Sequence, residues 1–111
     1  MIIDMHSHAG LVMLAEPHHE PKVRQGITTE LIGVDGNSYA PFKSHDDFLK
    51  FVELNSGLDG DPPLPGKWST VEQYLEMFHH KVAVNVAYIL GNSPVRIDAL
   101  GWDDVPATAA D

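Results

Sequence analysis

The chain has 111 residues, with 16 acidic and seven basic residues and a formal net charge of −9. Lysine and arginine form no cluster, which argues against a nucleic-acid partner and against binding to an anionic membrane surface. The absence of cysteine excludes disulfides and cysteine-ligated zinc sites. No apolar run approaches the roughly 20 residues of a membrane span, and the N-terminus lacks the basic start of a signal peptide, so we expect a cytoplasmic protein.

The first predicted strand, residues 1–7, leads into two histidines. Side chains two residues apart on a strand leave the same face, so His6 and His8 should point the same way with Asp4 one step behind. Two neutral imidazoles side by side form half of a tetrahedral site, and imidazole suits zinc and other first-row divalent ions. The alternative is a histidine pair at an exposed strand end, since a bare His-x-His pattern is common by chance.

After this strand, helical and strand patterns alternate along the chain. In order, we predict a short helix over 20–26, a strand over 27–34, a helix over 44–57, a helix that begins with the capping box at 69–72, a strand over 81–90 and a turn into a further helix at 102–108. Strands that alternate with helices are typical of a parallel α/β fold.

One long loop interrupts this alternation at residues 57–68, which are rich in glycine and proline. A loop of this length inside a compact domain is usually functional or mobile. Because it follows the second strand, it would lie over the catalytic face if the fold were a barrel.

Four segments carry a resemblance to a known family. Residues 3–8, Ile-Asp-Met-His-Ser-His, resemble the IDxHxH end of the first strand in the amidohydrolase superfamily of metal-dependent hydrolases. The other three segments resemble the N-acyl-D-amino-acid deacylase branch of that superfamily. Residues 20–29 are similar to its EPK-(x)3-GVTT segment, residues 33–41 to its VGNCGxSxAP segment, and residues 85–91 to a strand that ends in Gly-His. The resemblance covers most of residues 2–102.

The resemblance implies a (β/α)8 barrel, which needs roughly 250 residues. A chain of 111 residues has room for about three of the eight units. We therefore expect residues 1–111 to be an N-terminal fragment of an amidohydrolase barrel domain. The family's other metal ligands and its general-base aspartate would lie downstream, which leaves no catalytic residue in this chain.

The resemblance also implies metal ligands, and Zn²⁺ is the expected ion. His6 and His8 match the family's ligand pair, and Asp35 occupies the position of its metal-binding cysteine. A carboxylate can replace a thiolate as a ligand, with a harder donor atom. The alternative is that Asp35 and Gly36 form only a turn.

Two further residues are candidates for substrate binding. Asn92 falls where the branch has the histidine of its Gly-His segment, so it would hydrogen-bond a substrate carbonyl or merely cap the turn. Arg96 would pair with a substrate carboxylate, because a guanidinium matches carboxylate geometry, or would be a solvated structural arginine. The adjacent pairs 18–19 and 79–80 are interpreted as surface histidines, because neighbouring side chains diverge.

Three functions remain open from the sequence. The first is a metal-dependent hydrolase of a non-peptide carbon–nitrogen bond that removes the acyl group from an N-acyl-D-amino acid, a small-molecule amide. The second keeps the fold but acts on a cyclic amide, as dihydroorotases and hydantoinases do. The third is a catalytically incomplete fragment that needs a partner, either a homo-oligomer or the remainder of the barrel, because a third of a barrel leaves two sheet edges unpaired.

Overall fold

Three parallel strands form one sheet in a computed structural model that describes residues 1–111. The strand order is β1-β2-β3, with β1 at Ile2–Asp4, β2 at Ile27–Ile32 and β3 at Asn85–Tyr88. β1 pairs with β2 from Ile2 opposite Ile27 to Asp4 opposite Glu30, with one irregularity after Ile2. β2 pairs with β3 from Thr29 opposite Asn85 to Ile32 opposite Tyr88.

Helices occupy the connections between the strands. They are α1 at Val12–Ala15, α2 at Glu20–Val23, a 3-10 turn at Val34–Gly36, α3 at His45–Asp59, α4 at Val71–Glu76 and α5 at Asn92–Leu100. Strands adjacent in sequence are also adjacent in the sheet, as a parallel sheet with helical crossovers requires. The predicted α/β fold of parallel β/α units is confirmed.

The hydrophobic core lies where α3 and α4 pack over the sheet. Phe48 and Phe51 of α3, Tyr74 of α4 and Phe78 just after α4 are all buried. These rings form a connected aromatic cluster, in which Trp68 contacts both Phe48 and Tyr74. Aromatic side chains bury large areas, so this cluster fixes both helices relative to the strand ends.

Helix α3 is longer than the sequence analysis predicts. It continues through Gly57 to Asp59 and ends at Gly60, which has a positive φ of 78°. The irregular connection is therefore 60–70 rather than 57–68. Tertiary contacts explain the difference, because the Asp59 side chain is buried and hydrogen-bonded, which favours a further helical turn.

Helix α5 corrects the prediction for the last part of the chain. The sequence pattern predicts a turn into a helix at 102–108. The structure instead has its helix at Asn92–Leu100, followed by no helix up to residue 111. Pro94 lies in the first helical turn, where its missing N–H has no intrahelical partner to lose.

Both outer strands expose apolar side chains. Ile2 and Ile3 of β1, which has a neighbour on one side only, are 53% and 45% exposed. Ile89 and Leu90, at the end of β3, are also exposed. None of the helices combines the length and apolar character that crossing a bilayer requires.

Candidate metal centre

Three predicted ligands meet at the carboxyl edge of the sheet. His6 and His8 follow β1, and Asp35 lies in the turn after β2. Because parallel strands end at the same edge, residues 29 positions apart are brought together. The Asp35 Oδ2 atom lies 3.1 Å from His6 Nε2 and 3.2 Å from His8 Nε2. One donor atom from each of the three residues lies within 4.8 Å of the others.

Two of the three donor separations are close to those found around a divalent metal ion. Nitrogen and oxygen ligands about 2.0–2.2 Å from a tetrahedral zinc lie roughly 3.3–3.6 Å from one another. The two separations from Asp35 Oδ2 are only slightly shorter than that. Two imidazole nitrogens and one carboxylate oxygen are also donor types that zinc accepts, so His6, His8 and Asp35 are suited to hold it.

The turn that carries Asp35 has an unusual backbone conformation. Asp35 has a positive φ of 57°, which aspartate tolerates better than most residues, and Gly33 and Gly36 beside it also have positive φ values. Ser38, six residues after the strand end, accepts a hydrogen bond from the Gly91 N–H at 2.9 Å and donates to the Ala40 carbonyl oxygen at 3.0 Å. The turn after β2 is thus anchored to the turn after β3.

A buried carboxylate contacts the Nδ1 atom of His8. Asp59, at the end of α3, is 3% exposed, and its Oδ1 lies 2.7 Å from His8 Nδ1. Its Oδ2 accepts a hydrogen bond from the Tyr39 hydroxyl at 2.5 Å. Burial, with a smaller contribution from Asp59, raises the pKa of Tyr39 far above its ordinary value, so this hydroxyl keeps its proton. Sequence analysis missed Asp59, which it placed in the long loop.

Tyr74 fixes the chain just after the histidine pair. Its hydroxyl donates to the Gly10 carbonyl oxygen at 2.7 Å, and its side chain is fully buried. Burial raises its pKa well above the usual range, so it remains a donor. A Cβ atom at Gly10 would lie 2.7 Å from the Tyr74 hydroxyl oxygen, which explains why glycine suits this position.

A second polar cluster surrounds the buried Glu30 of β2. Ser7, between His6 and His8 in the sequence, donates its hydroxyl to this fully buried carboxylate. The other Glu30 oxygen lies 2.7 Å from His19 Nε2. The interpretation of His19 as a surface residue is wrong, because its ring is buried against this carboxylate.

The Asp4 side chain does not join the three candidate donor atoms. Its Oδ1 accepts a hydrogen bond from the His6 backbone N–H at 3.0 Å, and its Oδ2 pairs with the Lys22 ammonium. The bond from Lys22, followed by that from the His6 N–H, lowers the pKa of the Asp4 carboxyl below its usual value. Asp4 therefore holds the backbone of the histidine pair and links β1 to α2.

The two predicted substrate ligands lie further along the same edge. Asn92 is the exposed first residue of α5, and its backbone nitrogen lies close to Gly36. Arg96 donates to the carbonyl oxygens of Val105 at 2.6 Å and Asp103 at 3.3 Å, so its guanidinium holds the C-terminal segment. The structure brings neither side chain into contact with His6 or His8.

An open cleft lies in front of the histidines. Its volume is about 650 Å³, and it is bounded by the histidine pair, by Lys22 and by residues 56–60 at the end of α3. This cleft leaves the site accessible from solvent.

No protein-family model matches the chain. It is 33% identical over 111 residues to an N-acyl-D-aspartate deacylase from Alcaligenes xylosoxydans xylosoxydans, covering 98% of this chain and 20% of that protein. It is 32% identical to uncharacterized proteins of Mycobacterium tuberculosis and Mycobacterium bovis, covering 91% of this chain and 17% of theirs. The chain therefore spans about a fifth of the length of these relatives.

A solved structure shares the fold. It is the N-acyl-D-glutamate deacylase from Bordetella bronchiseptica, complexed with zinc and a phosphonate inhibitor that mimics the tetrahedral intermediate of its reaction. The match has a TM-score of 0.72 and 27% sequence identity, and it covers 97% of this chain and 22% of the other.

Proposed function

We propose that the full-length protein, which resembles N-acyl-D-amino-acid deacylases over nearly all of this chain, is a metal-dependent hydrolase of a non-peptide amide bond. The proposed substrate is an N-acyl-D-amino acid, from which the acyl group is removed. The observation that carries the proposal is the meeting of His6, His8 and Asp35 at the carboxyl edge of the sheet. The proposal is supported by the similarity of the chain to two deacylases, one of which is complexed with zinc.

The residues of this chain would have two roles, which are to bind the metal and to position its ligands. His6, His8 and Asp35 would hold a zinc ion, while Asp4 and Asp59 would hold the histidines in place. Zinc, when bound, lowers the pKa of water towards about 7 and polarises the scissile carbonyl. We propose that the general base, an aspartate, and the remaining ligands belong to parts of the protein outside these 111 residues.

The substrate would enter through the cleft in front of the histidines. We propose that Asn92 donates a hydrogen bond to the substrate, since it is exposed at the same edge of the sheet as Asp35. Arg96 is less suited to this role, because its guanidinium already donates to two backbone carbonyls. The chain's other basic group near the site, Lys22, is paired with Asp4.

The proposal is tested with the full-length protein and N-acetyl-D-amino acids, including the aspartate and glutamate derivatives. We expect hydrolysis that is lost on chelation and restored by Zn²⁺. His6→Ala and His8→Ala should abolish both turnover and stoichiometric zinc, whereas His18→Ala, which changes an exposed histidine, should not. Turnover that persists in metal-free protein would refute the proposal, as would hydrolysis of dihydroorotate or hydantoin in place of acyl-D-amino acids.

We also propose that further strands of the full-length protein pair with β1 and β3, completing a barrel. Two observations support this proposal. Both outer strands have exposed apolar side chains, and this chain covers only 22% of the related solved structure. Ile3→Lys should then destabilise the full-length protein strongly, although Ile3 is 45% exposed in this sheet. Leu54→Lys, at a position that is 69% exposed on α3, is the control and should be tolerated. Equal tolerance of both changes would contradict the proposal. A stability of the full-length protein that depends on protein concentration, as for a dimer, would favour a homo-oligomer.

A further inference from the structure

We propose that Asp59 is a positioning residue, which holds the His8 imidazole in the tautomer whose Nε2 lone pair faces His6 and Asp35. The inference rests on the metal-binding part of the proposed function. Asp59 is not one of the three proposed donors, and it lies at the end of α3, 51 positions from His8 in the sequence.

The contact between Asp59 and His8 is the basis for assigning the proton to one His8 nitrogen. An ionised carboxylate only accepts hydrogen bonds, so the 2.7 Å contact from Asp59 Oδ1 to His8 Nδ1 requires a proton on Nδ1. A neutral imidazole that is protonated on Nδ1 has its free lone pair on Nε2. That atom lies 3.2 Å from Asp35 Oδ2, within the proposed ligand cluster.

Tyr39 holds Asp59 as an acceptor. Its hydroxyl donates to Oδ2 at 2.5 Å, so both Asp59 oxygens are engaged in a region closed to water. The Tyr39 ring is itself buried, in edge-on contact with Phe48 and Phe51 of α3. Because Tyr39 also belongs to the segment that follows Asp35, one rigid unit joins the end of α3 to the loop that supplies the third donor.

His6 lacks an equivalent support, which makes the effect specific to His8. The His6 ring contacts Asp35 through Nε2, but no carboxylate holds its Nδ1 atom, and the side chain is exposed. Metal-bound histidines usually donate their second ring N–H to such a partner, and loss of that partner typically lowers metal affinity about 10- to 100-fold. Asp59 is therefore where we expect the strongest indirect effect on the site.

The test combines tautomer and affinity measurements on the full-length protein. Selective ¹⁵N-histidine labelling of the metal-free protein and two-bond proton–nitrogen correlations report which His8 nitrogen is protonated. We expect an Nδ1–H tautomer in the wild-type protein, and a mixture that includes Nε2–H in Asp59→Ala. Competition with a chromophoric chelator should show a Kd for Zn²⁺ that is raised about 10- to 100-fold in Asp59→Ala and Asp59→Asn. Tyr39→Phe should shift both readouts less, in the same direction.

Asp61→Asn is the matched control, because it removes an exposed aspartate two residues away and should leave both readouts unchanged. If Asp59→Ala fails to fold, the isosteric Asp59→Asn and the wild-type tautomer carry the test. An Nε2–H tautomer in the wild type would overturn the inference, as would Asp59 variants that are less stable but retain both the tautomer and the zinc affinity. A wild type that shows the Nδ1–H tautomer but binds no zinc would instead refute the proposed function and leave the role of Asp59 in orienting His8 intact.

Discussion

Gly91 and Gly36 lie in direct backbone contact, and this contact sets the position of the Asp35 turn. A Cβ atom at Gly91 would overlap the carbonyl group of Gly36 and would lie 2.7 Å from the Ser38 amide nitrogen. Gly91 has a φ of −74°, which any residue adopts, so space and not backbone conformation requires glycine here. The end of β3 thereby limits where the third donor of the site can lie.

We predict that Gly91→Ala displaces the Asp35 turn, with a loss of about 1–3 kcal/mol of stability from the forced backbone shift. Zinc affinity should fall as well, because the donor separation changes. Urea unfolding and chelator competition measure the two effects. Gly57→Ala is the control, since a Cβ there meets nothing within 4 Å and alanine in a helix interior is expected to stabilise by about 0.5–1 kcal/mol. Unchanged zinc affinity in Gly91→Ala would show that this contact does not position the site.

The Tyr74 hydroxyl gives a prediction for alkaline pH. Burial raises its pKa well above 10.0 in the folded chain, whereas the unfolded chain ionises near that value. The stabilisation from keeping this proton is fully present below pH 10 and is lost as the pH rises above it, because ionisation then favours the unfolded state. We expect Tyr74→Phe to lose about 1–3 kcal/mol at pH 7, where the buried Gly10 carbonyl loses its donor.

The same variant should also show a shallower fall in stability between pH 9 and 11 than the wild type does. Urea unfolding of both proteins across this range measures the difference, and the comparison cancels the contribution of lysines. Tyr39 and Tyr88 also have raised pKa values through burial, so Tyr74→Phe should reduce the alkaline dependence without removing it. Identical slopes would mean that Tyr74 ionises freely in the folded chain.

The buried Glu30 should be important for stability rather than for chemistry. Its two oxygens are bonded to Ser7 and His19, and its side chain is fully buried. Glu30→Gln leaves one of these partners without a suitable acceptor, so we expect a loss of about 1–3 kcal/mol in urea unfolding. Glu53→Gln, at an exposed position on α3, should cost almost nothing. A neutral Glu30→Gln would indicate that Ser7 and His19 find other partners.

Local patterns in the sequence predicted the strands and the side chains that follow their ends. Apolar, β-branched runs located all three strands, and the end of a strand is where a parallel sheet places its functional side chains. The proximity of His6, His8 and Asp35 was predictable for this reason, whereas the proposal of Asp35 as a metal ligand came from the family resemblance. The outer strands β1 and β3, which each have one neighbour only, are shorter than predicted, and β2 ends at Ile32, where Gly33 takes a positive φ of 84°.

Contacts between distant residues explain what was missed. Asp59 stands in a Gly-Leu-Asp-Gly segment that is typical of a loop, and only its bonds to His8 and Tyr39 distinguish it. The pair His18-His19 shows a different limit. The two adjacent side chains diverge, as expected, but this divergence leaves only the His18 ring exposed. The His19 ring is buried against Glu30.

Exchanging the third donor tests the metal centre directly. Asp35 occupies the position that resembles a metal-binding cysteine, so we expect Asp35→Cys to retain the metal, with a sulfur donor in place of oxygen. The cobalt-substituted variant should then acquire a thiolate-to-cobalt charge-transfer band that the wild type lacks. The positive φ of 57° costs cysteine roughly 1–2 kcal/mol, so its stability is compared with that of Asp35→Ala, which has the same backbone penalty but no donor. Because both histidine Nε2 atoms lie within 3.2 Å of the Asp35 carboxylate, a cysteine variant that binds cobalt without this band would place the metal elsewhere.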